Sequence, residues 1–325
     1  MTNKYLLKQY KIILGQNKPV IFDIGARNGV KHKLFNYLAN NSLIKLILVE
    51  LDKKESRKLK SKNILVINKA LWNTNKSKIF YQTKNKSYVS LLEPNKEVLH
   101  GSYYFDRYFY KVLKKDIVKT ITLKEIISNK NNKINKIDFI KIDIQGGESK
   151  VFDTLTKKNW SQLLACETET YTSKVYKGSK TIDYYIRKFY SKNFELYNSK
   201  CISSLIKTSY DDEKIYSAYY LTARPNTRYY RGKQLTLDLL FFKNFKSVIK
   251  KNDIDAVRRY LFFLIVYEYF DHAIYVLLYL YKKKIIKEIF FSQINSAIKN
   301  IFKEQSNYLW RVKEKILLKM YSIST

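Results

Sequence analysis

The chain has 325 residues, 46% of them apolar, and a formal net charge of +34. That length exceeds one typical domain, and that apolar content allows a real buried core. Only 10 of its 62 basic residues are arginine, so the charge reads first as a solvated lysine surface rather than the arginine forks that read nucleic acid.

The N-terminal segment is basic, and its short apolar run is broken by Lys8 and Lys11, so it does not read as a signal peptide. Residues 19–24, PVIFDI, predict a short buried strand, and GARNG leads from it into a helix over about 30–39. Residues 45–50, KLILVE, predict a second strand, followed by a lysine-rich helix near 53–59 and a third strand at 64–67. This strand–helix rhythm argues for a parallel α/β sheet. A short strand is expected at 76–82. Residues 84–118 are polar and aromatic without a clear period, and read as a loop with a short helix over the sheet. A strand edge running into a helix is expected over 120–127, a fourth strand over 136–143 and a helix start over 148–155. A fifth strand at 161–167, a helix near 181–190 and a sixth strand at 194–197 follow, then irregular chain over 198–235 and a last apolar strand at 237–242.

Beyond about residue 243 the pattern is helical, with two apolar helices that break near Phe270 and Asp271. The pair is similar to a helical hairpin of the tetratricopeptide kind, and the charges of Glu268 and Asp271 within it argue against a spanning helix. The expected division is an α/β domain over 1–244 and a helical extension over 245–325. Cys166 and Cys201 form neither a disulfide framework nor a zinc site, and Cys166 reads as a core filler. With no window of ~18 uninterrupted apolar residues, a cytoplasmic protein is expected.

Two strand ends carry the chemistry. In the first, Phe22-Asp23-Ile24-Gly25 closes a strand, Gly25 permits a tight turn, and Gly29 lets the next helix pack closely. Glu50 ends the next strand ~20 residues later, where an acid is placed to bind both hydroxyls of a ribose. Gly-x-Gly-x-x-Gly is absent, because position 27 is Arg, and Asp23 would repel a pyrophosphate. Asp23 suits instead an ammonium or sulfonium, so charge favours S-adenosylmethionine over a dinucleotide. Asn68 and Ala70 follow the third strand, where an adenine edge would be read, with Leu71 and Trp72 as a cover.

The second strand end is DFIKIDIQGGE, residues 138–148. Asp143 is the first candidate for orienting an acceptor hydroxyl or the donor, and Glu148 is a second acid one turn away, at a helix start that alone would favour it. Glu167 and Glu169 are expected on the same rim, and His32 reads as a helix-surface residue. The histidines and cysteines show no clustered metal-ligand spacing, so no metal is assigned, although carboxylates alone can hold a divalent ion.

The chain resembles the FkbM family of S-adenosylmethionine-dependent methyltransferases. The resemblance rests on FDIGARNG (22–29), LVELDKK (48–54), INKALW (67–72), VSLLEP (89–94), KTITLKEII (119–127) and DFIKIDIQGGESKVFDTL (138–155), with LDLLFFKN (237–244) similar to the family's last strand. It implies a class I, Rossmann-like methyltransferase fold with a mostly parallel seven-stranded sheet. It also implies methyl transfer from S-adenosylmethionine to a hydroxyl of a sugar, glycan or glycolipid precursor, as in polysaccharide biosynthesis. Gly147 stands where a larger residue is common in the family, and Arg27 is unexpected beside a cationic cofactor. Nucleic acid is a disfavoured partner, and weak contact with an anionic membrane surface is compatible with the charge. An RNA methyltransferase, or a helical scaffold with a vestigial pocket, is the alternative; the presence of Asp23, Glu50 and Asp143 together argues against the scaffold.

Overall fold

The computed structural model describes residues 3–27, 29–30, 32–61, 63–100, 108–205, 233–250 and 253–321. The chain forms two compact units, Pro19–Asn244 and a second that joins Met1–Lys18 to Phe245–Thr325. The N-terminal residues 1–18, which the sequence reading left with the α/β part, thus belong with the C-terminal helices.

The α/β unit is built on strands β1 (Val20–Ile24), β2 (Lys45–Val49), β3 (Ile64–Ile67), β4 (Ala70–Leu71), β5 (Ser77–Thr83), β6 (Val112–Ile121), β7 (Phe139–Ile142), β8 (Ala165–Tyr171), β9 (Phe194–Leu205) and β10 (Lys233–Lys243). Seven of them make one sheet in the order β3-β2-β1-β7-β8-β10-β9. The first five in that order are parallel, and β10 runs antiparallel to both β8 and β9. The mostly parallel seven-stranded Rossmann-like sheet expected from the sequence is therefore present. A second sheet, in the order β4-β6-β5, has a parallel and an antiparallel pair.

Every residue of β1 is buried, as a strand with neighbours on both edges and cover on both faces requires. The strand order reverses between β1 and β7, so their C-terminal ends open a crevice, the usual ligand position in an open α/β sheet. Three expectations change. Residues 84–118 contain the start of the ten-residue strand β6 in addition to loop. The fifth strand begins at Ala165, not 161, because Lys157–Gln162 is a helix with Thr156 and Asn159 in a reciprocal capping box. The sixth and last strands extend well into the span read as irregular.

The hydrophobic core of this unit includes an aromatic cluster. Phe189 stacks on Phe241 at 4.2 Å and meets Phe152, Trp160 and Phe194 edge-on at 5.2–5.4 Å. Cys166 is fully buried in the same core.

The helical unit comprises Asn3–Leu14, Phe245–Ile249, Ile254–Val266, Phe270–Lys282 and Glu288–Tyr321. The expected break near Phe270 falls at Glu268, whose φ of 66° is left-handed. Tyr10 meets Phe262 edge-on at 5.9 Å, and Arg258 Nη1 donates to the carbonyls of Ile12 and Ile13 at 2.9 and 3.0 Å. Those bonds satisfy carbonyls at a helix C-terminus, where a cation is favourable. No helix among the described residues is long and apolar enough to cross a membrane.

The aromatic cluster sets a stability test. Phe189→Ala removes a ring that is wholly buried, and is expected to cost about 3–5 kcal/mol in urea denaturation. A loss below about 1 kcal/mol would show that the site collapses around the gap.

Candidate active site

A cavity of about 1000 Å³ lies at the C-terminal ends of β1, β2 and β7. Its wall includes Gly25, Arg27, Gly29, Glu50, Ala70, Leu71, Trp72, Asp143 and Gln145. The segment Ser87, Val89, Ser90 and Leu91 closes another part, as do Phe80, Gln82 and Asp116 of the small sheet. Of the eight site residues expected from sequence, five are thus in the wall: Gly25, Gly29, Glu50, Ala70 and Asp143. Asp23, Asn68 and Glu148 are not.

Gly25 holds the two strand ends together. Its φ is 81°, and a Cβ there would lie 1.8 Å from the carbonyl oxygen of Asp143. Its N–H donates to Val49 O at 2.9 Å, and the Asp143 N–H donates to Ile24 O at 2.9 Å. Only glycine permits this approach. Gly147 is explained in the same way: a Cβ would meet Trp72 Cζ3 at 2.8 Å, so the smaller residue makes room for the indole.

Glu50 is buried, and its Oε1 accepts from the Asp52 N–H at 2.7 Å. Burial pushes its carboxyl up, against the pull of that hydrogen bond and of Arg27. Arg27 Nη2 lies 3.2 Å from Asp52 Oδ2, so the unexpected cation in the turn is matched by its own carboxylate. Asn68 does not face the cavity. Its Nδ2 donates to the carbonyls of Glu50 and Leu51 at 2.8 and 2.7 Å, which fixes the corner that presents Glu50.

Asp23 differs most from its expected role. It is buried beneath the turn, with Oδ1 3.4 Å from Lys141 Nζ, so the chain supplies the cation the sequence reading assigned to a ligand. Burial pushes the Asp23 carboxyl up, and Lys141 opposes that rise. Burial pulls the Lys141 ammonium down, but Asp23, Asp143, Glu167 and Glu169 outweigh it and hold it above its ordinary value. Lys141 Nζ also lies 3.8 Å from Asp143 Oδ2. Sequence reasoning missed this lysine, although a single charge inside the apolar run FIKI was a signal.

Glu148 is fully buried, and its Oε1 turns back to accept from the N–H groups of Ile144 and Gly146 at 2.9 and 3.2 Å. It staples the turn after β7 rather than facing the cavity. Its Oε2 has no hydrogen-bond partner among the described residues. Burial pushes this carboxyl up to about 7.

Glu167 and Glu169 lie inside β8, not at its end. Glu169 is buried, and burial together with Asp143 and Glu148 pushes its carboxyl well above the usual range. His32 precedes the helix Lys33–Asn40 and packs against Phe35, with ring centroids 4.9 Å apart.

Asp143, Glu148 and Glu169 each bring one oxygen within 4.8 Å of the others, a spacing that a divalent ion can bridge. Gln145 Nε2 already donates to two of the three, to Asp143 Oδ1 at 2.8 Å and to Glu169 Oε2 at 2.9 Å. An amide thus supplies positive hydrogen-bond density in that group. Gln145 itself has a left-handed φ of 59°, which costs a residue with a Cβ roughly 1–2 kcal/mol.

Residues 23–196 match the methyltransferase FkbM domain family. The chain belongs to that family. Membership makes it a methyltransferase, with S-adenosylmethionine as cofactor. No curated protein matches it in sequence. Similar solved structures include the plantazolicin methyltransferase BpumL in complex with a triazolic desmethylPZN analog and SAH, 11% identical over 74% of this chain and 84% of that one, TM-score 0.31. A putative methyltransferase from Thermobifida fusca YX is 12% identical over 74% of this chain and 79% of that one, TM-score 0.32. PKMT2 from Rickettsia typhi is 9% identical over 75% of this chain and 55% of that one, TM-score 0.27.

The buried acids give the fold a pH dependence with a definite sign. The folded chain keeps the Glu148 proton up to about pH 7, whereas an ordinary glutamate loses it near 4.5. The native state therefore binds more protons across that window, and its stability falls as pH rises through it. Glu148→Gln removes that contribution. The unfolding free energy of wild type relative to Glu148→Gln is expected to drop by roughly 3 kcal/mol between the two ends of the window. Parallel stability–pH curves would contradict the burial argument.

Proposed function

We propose that this FkbM-family methyltransferase O-methylates a hydroxyl of a sugar, glycan or glycolipid precursor. The carrying observation is the single cavity wall that holds Glu50 and Asp143, with Gly25 between their strands. The donor set fits S-adenosylmethionine. Glu50 is the acid for the two ribose hydroxyls, and Ala70, Leu71 and Trp72 give an apolar ledge for the adenine beside it. Gly25 and Gly29 let the backbone approach the rest of the donor. When bound, S-adenosylmethionine supplies a methyl group on a sulfonium.

An alcohol needs a base to become a competent nucleophile, and alignment of oxygen with the methyl provides much of the rate gain. Asp143 is the carboxylate on the β7 side of the wall; it would orient the acceptor hydroxyl and take its proton. Lys141 Nζ faces that carboxylate, 3.8 Å from its Oδ2. Among the described residues, no histidine or cysteine lines the cavity. Lys53, Lys54, Lys69, Lys84, Lys86 and Lys114 do, which suits a hydroxyl-rich acceptor that carries negative charge.

Two variants test the reading. Calorimetric titration should give saturable heat with S-adenosylmethionine and none with NAD. Glu50→Ala should weaken that binding about 10- to 100-fold, the worth of one or two charge-assisted hydrogen bonds; an unchanged affinity would defeat the ribose assignment. Asp143→Asn should still bind the donor but lose about 100-fold or more in methyl transfer to an acidic glycan, in line with loss of a general base. Full activity in that variant would remove Asp143 from the mechanism.

A further inference from the structure

Gln145 is the hub of a buried network that the transfer reaction, as drawn above, does not use. Its side-chain amide makes contact with four groups. Nε2 lies 2.8 Å from Asp143 Oδ1 and 2.9 Å from Glu169 Oε2. Oε1 lies 2.9 Å from Tyr176 Oη and 3.3 Å from Tyr171 Oη. The backbone is fixed too, since Ser90 Oγ donates to the Gln145 carbonyl at 2.7 Å.

The network has a direction. Burial pushes both tyrosine hydroxyls well above their ordinary values, so they stay protonated. Tyr176 has one proton for Oε1 and for the Tyr88 carbonyl 3.1 Å away, so the amide is oriented chiefly by the acceptor oxygens of Asp143 and Glu169 at its other end. The NH₂ end must then face the two acids. Tyr171 Oη also lies 2.7 Å from Glu169 Oε2, which holds the second acid in place from its far side. The left-handed backbone at Gln145 aims the side chain into this group, and the Ser90 bond keeps it there.

We propose that Gln145 is a positioning residue for Asp143: its amide, with Tyr176 and Tyr171 at its oxygen end, holds the Asp143 carboxylate at the cavity wall and keeps it from sharing a proton with Glu169. Two carboxylates this close otherwise tend to ionise as a pair, with one proton held between them. A neutral amide placed between them donates to both and carries no proton across. Asp143 is then left with the amide on Oδ1 and Lys141 on Oδ2. Gln145 does not itself take part in proton transfer. The inference rests on the reading of Asp143 as the group that accepts the acceptor's proton.

The test follows the Asp143 carboxyl directly, in full-length protein labelled with ¹³C at the aspartate carboxyl carbons and assigned with Asp143→Asn. In Gln145→Ala the Asp143 resonance should titrate about one pH unit higher than in wild type, because a donor to its ionised form is lost. Tyr176→Phe, which removes a hydroxyl from the oxygen end of the amide, should move it in the same direction by a smaller step. An unchanged midpoint in folded Gln145→Ala overturns the proposal, and so does an unchanged midpoint in Tyr176→Phe where Gln145→Ala fails to fold. The functional reading fails separately: wild type that gives no saturable heat with S-adenosylmethionine sinks it, and leaves the Asp143 midpoints to judge Gln145.

Discussion

The contact on which the site depends is the approach of Gly25 to the Asp143 carbonyl, where a Cβ would come within 1.8 Å. Two parallel strands diverge at their C-terminal ends unless something draws them together. Here the divergence is limited by backbone bonds from Gly25 to Val49 and from Asp143 to Ile24. Drawing the ends together brings the turn after β1 and the turn after β7 to one floor. The cavity, the Glu50 corner and the Asp143 wall all follow from that closure. Any side chain at position 25 would have to push β7 away, and the functional groups with it.

The same closure creates an electrostatic problem that the sequence must solve. Asp23, Asp143, Glu148, Glu167 and Glu169 all lie near one another under the crevice, and most are out of water. Burying that many carboxylates is expensive unless they are neutralised, paired or hydrogen-bonded. The structure uses all three routes. Lys141 faces Asp23 and Asp143. Glu148 accepts from two backbone N–H groups of its own turn. Glu169 is driven toward its protonated form and held by Tyr171 and Gln145. Asp23 and Asp143, Glu148 and Glu169 thus differ in what faces their carboxyl groups.

Much of this was legible in the sequence because it is local. Apolar runs that end in an acid and a glycine mark strand ends, so Gly25, Glu50 and Asp143 could be placed without coordinates. The βα rhythm announced a mostly parallel α/β sheet, whereas the strand order came only with the structure. What could not be read is what the chain brings from far away. Tyr171 and Tyr176 reach Gln145 across 26 and 31 residues, and no local pattern predicts that meeting. Strand β6 was hidden for a different reason. Leu113, Lys114 and Lys115 are all exposed, so its alternation is blurred where it begins. The polar stretch ETETY looked like a rim, yet it belongs to β8: β10 pairs along all of it, while β7 pairs with β8 only as far as Thr168. Glu169 is buried there, with Gln145 and Tyr171 on its carboxyl.

The overall charge takes on a meaning that composition alone did not give it. A net charge of +34 spread over lysines suggested only a solvated surface. The structure places lysines in the wall of the cavity together with Glu50, Asp52, Asp116 and Asp143, while Asp23, Glu148 and Glu169 are buried outside its lining. A positive surround raises the electrostatic potential in the cavity, which offsets the carboxylates of its wall and draws anionic molecules toward the mouth. Those two effects act together. On the proposed reading, an acceptor that carries negative charge would meet the lysines of the wall and present its neutral hydroxyl to Asp143.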